Sequence, residues 1–233
     1  MIRRGLFVTG TDTEVGKTAI TASIACCMAA RSNSFGVLKP LATGNRDDAE
    51  RLRDALDMNV PLERITPICF ATPAAPSVAA RIDGVELTLE TIRERIHSCW
   101  SWWEEQGRPD LLIEGVGGFL CPICPRATVA DLAVSLDLPL LIVARRALGT
   151  LNHTLLTVEA ARRRGLRIAG VVLSAANPSA NPAIDDRNAG ELSRFLEDVP
   201  ILAEIPYTGV DADIDSCIRS VDWPGLLATA RSG

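Results

Sequence analysis

A short apolar run, Leu6-Phe7-Val8-Thr9, leads into Gly10-Thr11-Asp12-Thr13-Glu14-Val15-Gly16-Lys17-Thr18, and Ala19-Ile20-Thr21-Ala22 continues with helical character. A glycine-containing turn between a strand and a helix, closing on Gly-Lys-Thr, has the composition and the setting of a phosphate-binding P-loop. Backbone N–H groups of residues 14–18 are expected to face phosphate oxygens, helped by the positive end of the helix dipole. Lys17 is expected to reach the β and γ phosphates, and the Thr18 hydroxyl to enter a Mg2+ shell. Five residues rather than four separate Gly10 from Gly16, so Thr11 stands where such loops usually carry their first glycine.

Other residues with usable chemistry follow at intervals. Lys39-Pro40 ends the apolar run 35–38. Pro40 keeps Lys39 out of helical geometry, so its ammonium is expected at a strand end, on the edge where ligands gather. Asp47 and Asp48 open the next helical stretch, either as an N-cap or as a metal ligand. Leu111-Leu112-Ile113 ends in Glu114, placed as P-loop enzymes place the acid that holds or orients Mg2+. Gly115, Gly117 and Gly118, with Val116 between them, let backbone approach a ligand closely. Gly149-Thr150-Leu151-Asn152-His153 begins a further helix, whose free N–H groups could receive a carboxylate or phosphate, or be capped by Thr150. Cys121-Pro122-Ile123-Cys124 is a lone C-x-x-C, without the second ligand pair of a zinc site or the helix of a redox motif.

The elements that must carry these residues are legible as short apolar runs at 6–9, 35–38, 111–114, 140–144, 168–173 and 201–205. Helical patterns lie between and around them at 17–30, 47–56, 89–105, 129–136, 151–164 and 186–196. Strands that are apolar throughout, alternating with helices, predict a mostly parallel sheet with helices on both faces, an α/β fold of the P-loop NTPase kind. One domain over residues 1–233 is expected, since no repeat or low-complexity linker interrupts the chain. Trp100, Trp102 and Trp103 are expected to pack as a cluster, and Arg162, Arg163 and Arg164 to need no partner at a helix end.

Composition narrows the partners. Apolar residues make up 47% and charged ones 23%, as in ordinary globular proteins, and the net charge of −5 recommends neither nucleic acid nor a membrane surface. The longest apolar stretch, 22–30, is too short to span a bilayer, and Asp12 and Glu14 follow the start too soon for a signal peptide. Seven scattered cysteines, an odd number, argue against a disulfide framework and for a reducing, cytoplasmic setting.

The loop 8–18, Leu38-Lys39-Pro40-Leu41-Ala42-Thr43-Gly44, Asp47-Asp48-Ala49, Glu114-Gly115-Val116-Gly117-Gly118, Leu148-Gly149-Thr150-Leu151-Asn152-His153 and Glu204-Ile205-Pro206 together closely resemble the dethiobiotin synthetases. The resemblance implies a homodimer that uses ATP, Mg2+ and CO2 (or bicarbonate) to close a ureido ring on 7,8-diaminopelargonate. It implies Lys39, Lys17 and Thr13 as catalytic groups, and Thr18, Asp48 and Glu114 around Mg2+. ATP would lie against Glu14, Val15, Gly16, Lys17, Thr18, Ala19, Asp48, Glu114, Gly115, Val116, Gly117, Ser174, Asn177 and Pro206. The diamine would meet Thr13, Lys39 and Thr43, and its distal carboxylate the partner's Gly149, Thr150, Leu151 and Asn152.

Two positions depart from the family pattern. Ser174 stands where many relatives carry the asparagine that reads the adenine amino group, with Asn177 three residues on, and Glu191 stands where some place a tyrosine. Related branches fit less well. Partition and septum-site ATPases carry a signature lysine where this loop has Asp12, and cobyrinate amide synthetases need a glutaminase domain that nothing after residue 206 supplies.

Overall fold

The computed structural model describes residues 4–31, 35–56, 58–175, 178, 182–207 and 212–228. Its strands are β1 (Gly5–Gly10), β2 (Phe35–Leu38), β3 (Leu41–Thr43), β4 (Ile68–Phe70), β5 (Asp110–Glu114), β6 (Pro122–Cys124), β7 (Ala127–Thr128), β8 (Leu140–Arg145), β9 (Ile168–Ser174) and β10 (Ile201–Ile205). Its helices are α1 (Lys17–Ala29), α2 (Asp47–Asp54), α3 (Leu62–Ile65), α4 (Pro76–Ile82), α5 (Leu89–Glu105), α6 (Val129–Leu136), α7 (Thr150–Arg162), α8 (Pro182–Leu196), α9 (Ala212–Arg219) and α10 (Trp223–Ala228). Six strands form one parallel sheet in the order β10-β9-β8-β1-β5-β2.

The burial of β8 shows why these strands read as continuous apolar runs. Leu141 and Val143 belong to the large core shared with α1 and β1, whereas Ile142 and Ala144 belong to a second core with Val158 of α7 and Leu192 of α8. Alternate side chains therefore enter opposite layers, and neither face of the strand meets water. Because all six strands run parallel, the ends of β1, β2, β5, β8 and β9 open onto one edge of the sheet, which gathers Gly10, Lys39, Glu114, Arg145 and Ser174.

Helix α5 seals the outer strand β2. A Cβ on Gly36 would fall 2.4 Å from the Trp103 indole, so the ring occupies the space a side chain would need. Trp100 and Trp103 are buried and Trp102 meets Trp103 edge to face at 5.0 Å, the packing cluster the sequence predicted.

Several elements differ from the sequence reading. The pairs β3–β4 (parallel) and β6–β7 (antiparallel) stand outside the main sheet and were not foreseen, nor were α3, α4, α9 and α10. The C-x-x-C lies largely within β6, with Cys124 buried, and all seven cysteines are free thiols. The basic run at the end of α7 does have partners: Arg162 pairs with Asp198, and Arg163 Nε lies 2.7 Å from Glu159.

Candidate active site

The loop after β1 is tied down at both ends. The Thr11 N–H donates to the Val143 carbonyl of β8 at 3.0 Å, and the Ile20 N–H donates to the Gly16 carbonyl at 3.0 Å, starting α1. Glu14 and Gly16 adopt left-handed conformations, with φ of 55° and 92°. Left-handed residues set between right-handed ones turn successive N–H groups into one concavity, the geometry of an anion nest. Gly16 has a second reason to lack a side chain. A Cβ there would sit 2.8 Å from Ser174 Oγ, so the end of β9 packs directly under the loop.

Lys17 leads α1 and is buried; its Nζ donates to the Asp12 carbonyl at 2.9 Å. Burial pushes this ammonium below its ordinary pKa, and the neighbouring charge of Lys39 adds to the shift, against the pull of Glu114, Asp48 and Asp12. Thr18, next along, donates its hydroxyl to Glu114 Oε1 at 2.8 Å.

Lys39 is the second cation of the site, and Lys17 and Lys39 are the only lysines in the chain. Its Nζ donates to Glu114 Oε1 at 2.8 Å and also bonds the Asp48 carboxylate. Burial alone would lower the Lys39 pKa, but the charges and hydrogen bonds of Glu114 and Asp48 outweigh it and hold the ammonium above its ordinary value. Burial acts on Asp48 in the opposite sense, raising its pKa. The charge and bond of Lys39, a bond from Thr18 and the charge of Lys17 win, and Asp48 is held below the usual carboxylate range.

Geometry separates Asp47 from Asp48. Asp47 turns back to accept from Asn45 Nδ2 at 2.6 Å, whereas Asp48 joins the lysine. Neither is the N-cap of α2, a position held by Arg46 without a side-chain bond. Glu114 is completely buried, and its second oxygen, Oε2, has no hydrogen-bond partner. A buried carboxylate oxygen left unpaired is costly unless something cationic meets it. Thr18, Asp48 and Glu114 thus present hard oxygen donors around one point, a donor set suited to Mg2+.

The remaining expected residues are placed as follows. Val15 is buried beneath the loop, Ala19 lies in the first turn of α1, and Thr13 is exposed with its N–H on the Asp12 carboxylate at 2.7 Å. Gly115 packs tightly, since a Cβ would meet Val129 at 3.1 Å and Phe7 at 3.2 Å. Gly117 has φ of 65° and faces Cys121 Sγ, with Thr13 also close by, while Val116 is half-buried. Thr43 ends β3, half-buried. Ser174 is only 4% exposed, Pro206 is exposed after β10, and Asn177 lies outside the described residues.

The start of α7 is uncapped. Gly149, with φ of 90°, is the N-cap, and no side chain bonds the free N–H groups. Thr150 does not cap; it is buried as the first helical residue, 3.4 Å from the Thr154 hydroxyl. Leu151 is half-buried and Asn152 exposed. A cavity of about 360 Å³ separates Thr11, Asp12 and Gly118 from α7, and α7 lines it with His153, Leu156 and Thr157 rather than with residues 149–152.

One cation was missed in the sequence. Arg145 ends β8 with its guanidinium 3.9 Å from the Asp12 carboxylate and 3.5 Å from the Thr13 carbonyl. The apolar run alone ended that strand one residue early. Arg146, beside it, pairs with Asp186 of α8 and lies 3.6 Å from Glu204 of β10.

This arrangement has known counterparts. Residues 4–210 match the AAA domain family. The chain is 43% identical over 226 residues to the ATP-dependent dethiobiotin synthetase BioD of Anaeromyxobacter dehalogenans, covering 94% of this chain and 95% of that protein. It is 37% identical over 215 residues to the protein of the same name from Bacillus subtilis, covering 87% of each. Among solved structures it is similar to a ParA family ATPase from Chlorobium tepidum, with a TM-score of 0.53 and 15% identity over 94% of this chain and 98% of that one. MinD from Aquifex aeolicus gives 0.51 and 17% over 92% and 87%. These two likenesses concern the fold alone. The identities over nearly the whole chain, with the P-loop and the two lysines described above, place it in the family of ATP-dependent dethiobiotin synthetases, ligases of biotin biosynthesis that form carbon–nitrogen bonds.

Proposed function

We propose that the protein closes a ureido ring on 7,8-diaminopelargonate, consuming ATP and CO2 (or bicarbonate) and releasing dethiobiotin, ADP and phosphate. The observation that carries this reading is the buried ammonium of Lys39, held between Asp48 and Glu114 beside the P-loop threonine. A phosphate loop explains Lys17 and Thr18 in any nucleotide enzyme. A second buried cation delivered to the same point by another strand suits a second anion.

That anion is a carbamate. One substrate amine adds to the carbon of CO2 and loses a proton, and Lys39 steadies the negative product with the Thr13 and Thr43 hydroxyls as hydrogen-bond partners. A carbamate oxygen then attacks the γ-phosphorus in line, and ADP leaves. The loop and the lysines contribute chiefly position and charge neutralisation, the two terms that dominate phosphoryl transfer. The second amine finally attacks the carbonyl carbon of the mixed anhydride, closing the ring and expelling phosphate.

Residues 14–19 cradle the nucleotide phosphates, and Gly115, Val116 and Gly117 approach them from the end of β5. Thr18, Asp48 and Glu114 would hold Mg2+, which supplies neutralisation of the β and γ phosphates; the unpaired Glu114 Oε2 supports that assignment. Ser174 and Pro206 border the base. Ser174 is nearly closed off under Gly16, so base selection is looser than a matched amide contact would give.

The active unit is a homodimer in the cytoplasm, each site borrowing the partner's Gly149–Asn152 helix start for the substrate's distal carboxylate. Uncapped N–H groups at that start favour an anion. No described helix is long and apolar enough to cross a membrane.

Phosphate release in the presence of ATP, Mg2+ and bicarbonate should depend on the diamine, with dethiobiotin seen by mass spectrometry. Equal turnover without the diamine would overturn the synthetase reading in favour of a nucleotide-driven switch.

A further inference from the structure

Lys39 follows the last residue of β2, and Thr43 lies outside the main sheet, at the end of β3. The Lys39 N–H donates to the Ile65 carbonyl at 2.8 Å. From Leu41 onward the chain becomes β3, whose only strand partner among the described residues is β4, in the register Leu41↔Ile68, Ala42↔Cys69 and Thr43↔Phe70. Just beyond, the Gly44 N–H donates to the Phe70 carbonyl at 2.8 Å. A two-stranded pair of three residues each is marginal by itself. Something must hold it where the substrate needs it.

The structure supplies that anchor at Asp83. As β4 ends, the chain turns through Ala71 and Thr72, and three donors converge on one carboxylate. The Ala71 N–H reaches Asp83 Oδ2 at 2.8 Å, the Thr72 N–H reaches the same oxygen at 3.4 Å, and the Thr72 hydroxyl reaches Oδ1 at 2.5 Å. Asp83 is the C-cap of α4, where the carbonyl end of a helix disfavours a negative charge. Its place there serves the turn rather than the helix. The same turn delivers Pro73 against Gly44, whose φ of 88° and missing Cβ (3.2 Å from Pro73 Cβ if built) let the two segments touch. The connection therefore runs from Asp83 through Thr72 and β4 to β3, and ends at Thr43.

We propose that Asp83 is a positioning residue for the diamine: it clamps the turn that holds β3, and so fixes Thr43 at the end of that strand. The inference rests on the functional reading above, because it takes Thr43 as a diamine contact. Asp83 touches neither nucleotide loop nor the Lys17–Thr18 turn, so its effect is confined to the second substrate. Its carboxylate is the form that accepts these bonds, and they hold its pKa below the usual range.

Steady-state kinetics with the full chain tests this. Asp83→Ala should raise KM for the diamine roughly tenfold, as expected when a substrate contact is misplaced, while KM for ATP stays within about twofold. Asp83→Asn, which keeps one acceptor oxygen, should recover much of the loss, and Thr72→Val, which removes only the hydroxyl arm, should show a smaller rise. Equal increases in both KM values, or none in that for the diamine, would overturn the proposal. A structural readout separates it from the functional reading. Amide hydrogen exchange at Gly44 should quicken in Asp83→Ala while Ile20, on the nucleotide side, keeps its protection. Unchanged exchange at Gly44 rejects the clamp whatever the substrate. Quickened exchange in a protein whose phosphate release ignores the diamine would leave the clamp standing and reject its service to that substrate.

Discussion

Lys39 and Glu114 are 75 residues apart in sequence and 2.8 Å apart in space, and sheet register brings them together. Leu38 and Ile113 are partners across β2 and β5, so the residues that follow them, Lys39 just past β2 and Glu114 at the end of β5, lie at the same level and on the same edge. A slip of one residue in this pairing would send the lysine to the opposite face. The site is thus written into the strand alignment before any side chain is placed.

Because Glu114 is wholly buried, removing its cation has two consequences. Lys39→Ala should lower kcat at least a hundredfold, on the order of 3 kcal/mol of barrier, by loss of charge beside the transferring group. It should also destabilise the fold by about 3 kcal/mol, since an uncompensated buried carboxylate remains. Adding Glu114→Gln should restore most of the melting temperature and none of the turnover. Restored turnover would place the reacting anion elsewhere.

The two lysines should oppose each other in alkali. The folded pKa of Lys39 is raised, so its stabilisation is complete below the unfolded value of about 10.4 and fades as pH climbs through the folded value. Lys17 is shifted downward, so its folded form sheds its proton first and stability rises with pH between the two values. Lys17→Met should abolish turnover and lack that rise, so its melting temperature should climb less, or fall more steeply, than the parent's as pH approaches about 10 from below, and run parallel to it above. Asp48, held low, contributes stability that is present above about pH 4 and lost as pH falls through its folded value. A Lys17→Met curve parallel to the parent's below about pH 10 would contradict the burial of that ammonium.

Gly16→Ala should fail for two separable reasons. The left-handed φ of 92° costs a residue with a Cβ about 1–2 kcal/mol, and the new carbon would press on Ser174 Oγ. Combining it with Ser174→Ala removes the contact and leaves the strain. Calorimetric ATP affinity should then recover part of the way. Full recovery would show that the backbone conformation does not matter.

A shared site predicts complementation between inactive subunits. Lys39→Ala mixed with Asn152→Trp, an exposed position on the α7 start, should regain about a quarter of parent activity. Half of the dimers would be mixed, and each would carry one site with both defects and one with neither. Mixed dimers that form but stay inactive, or an active monomer by light scattering, would rule out the borrowed helix.

Much of this was visible in the sequence because the main strands are buried on both faces, leaving unbroken apolar runs whose ends carry Gly10, Lys39 and Glu114. Residue types alone did not separate Asp47 from Asp48, since both begin the same helix and only packing decides which faces the lysine; the family resemblance pointed to Asp48. Thr150 looked like a cap by residue type, but the left-handed Gly149 takes that position and turns the threonine inward. The pairs β3–β4 and β6–β7 escaped notice because strands of two or three residues carry no period of their own. Arg145 was hidden for a related reason: a polar residue ends an apolar run by definition, even where the backbone continues its ladder with Ser174 of β9.

The restriction of lysine to positions 17 and 39 has a spectroscopic consequence. Every other basic side chain of the Lys/Arg kind is a guanidinium. Protein made with isotopically enriched lysine carries its label at two places only, one on the loop after β1 and one at the end of β2. Two resonances would then report separately on the loop after β1 and on the end of β2, with no other lysine amine to obscure either.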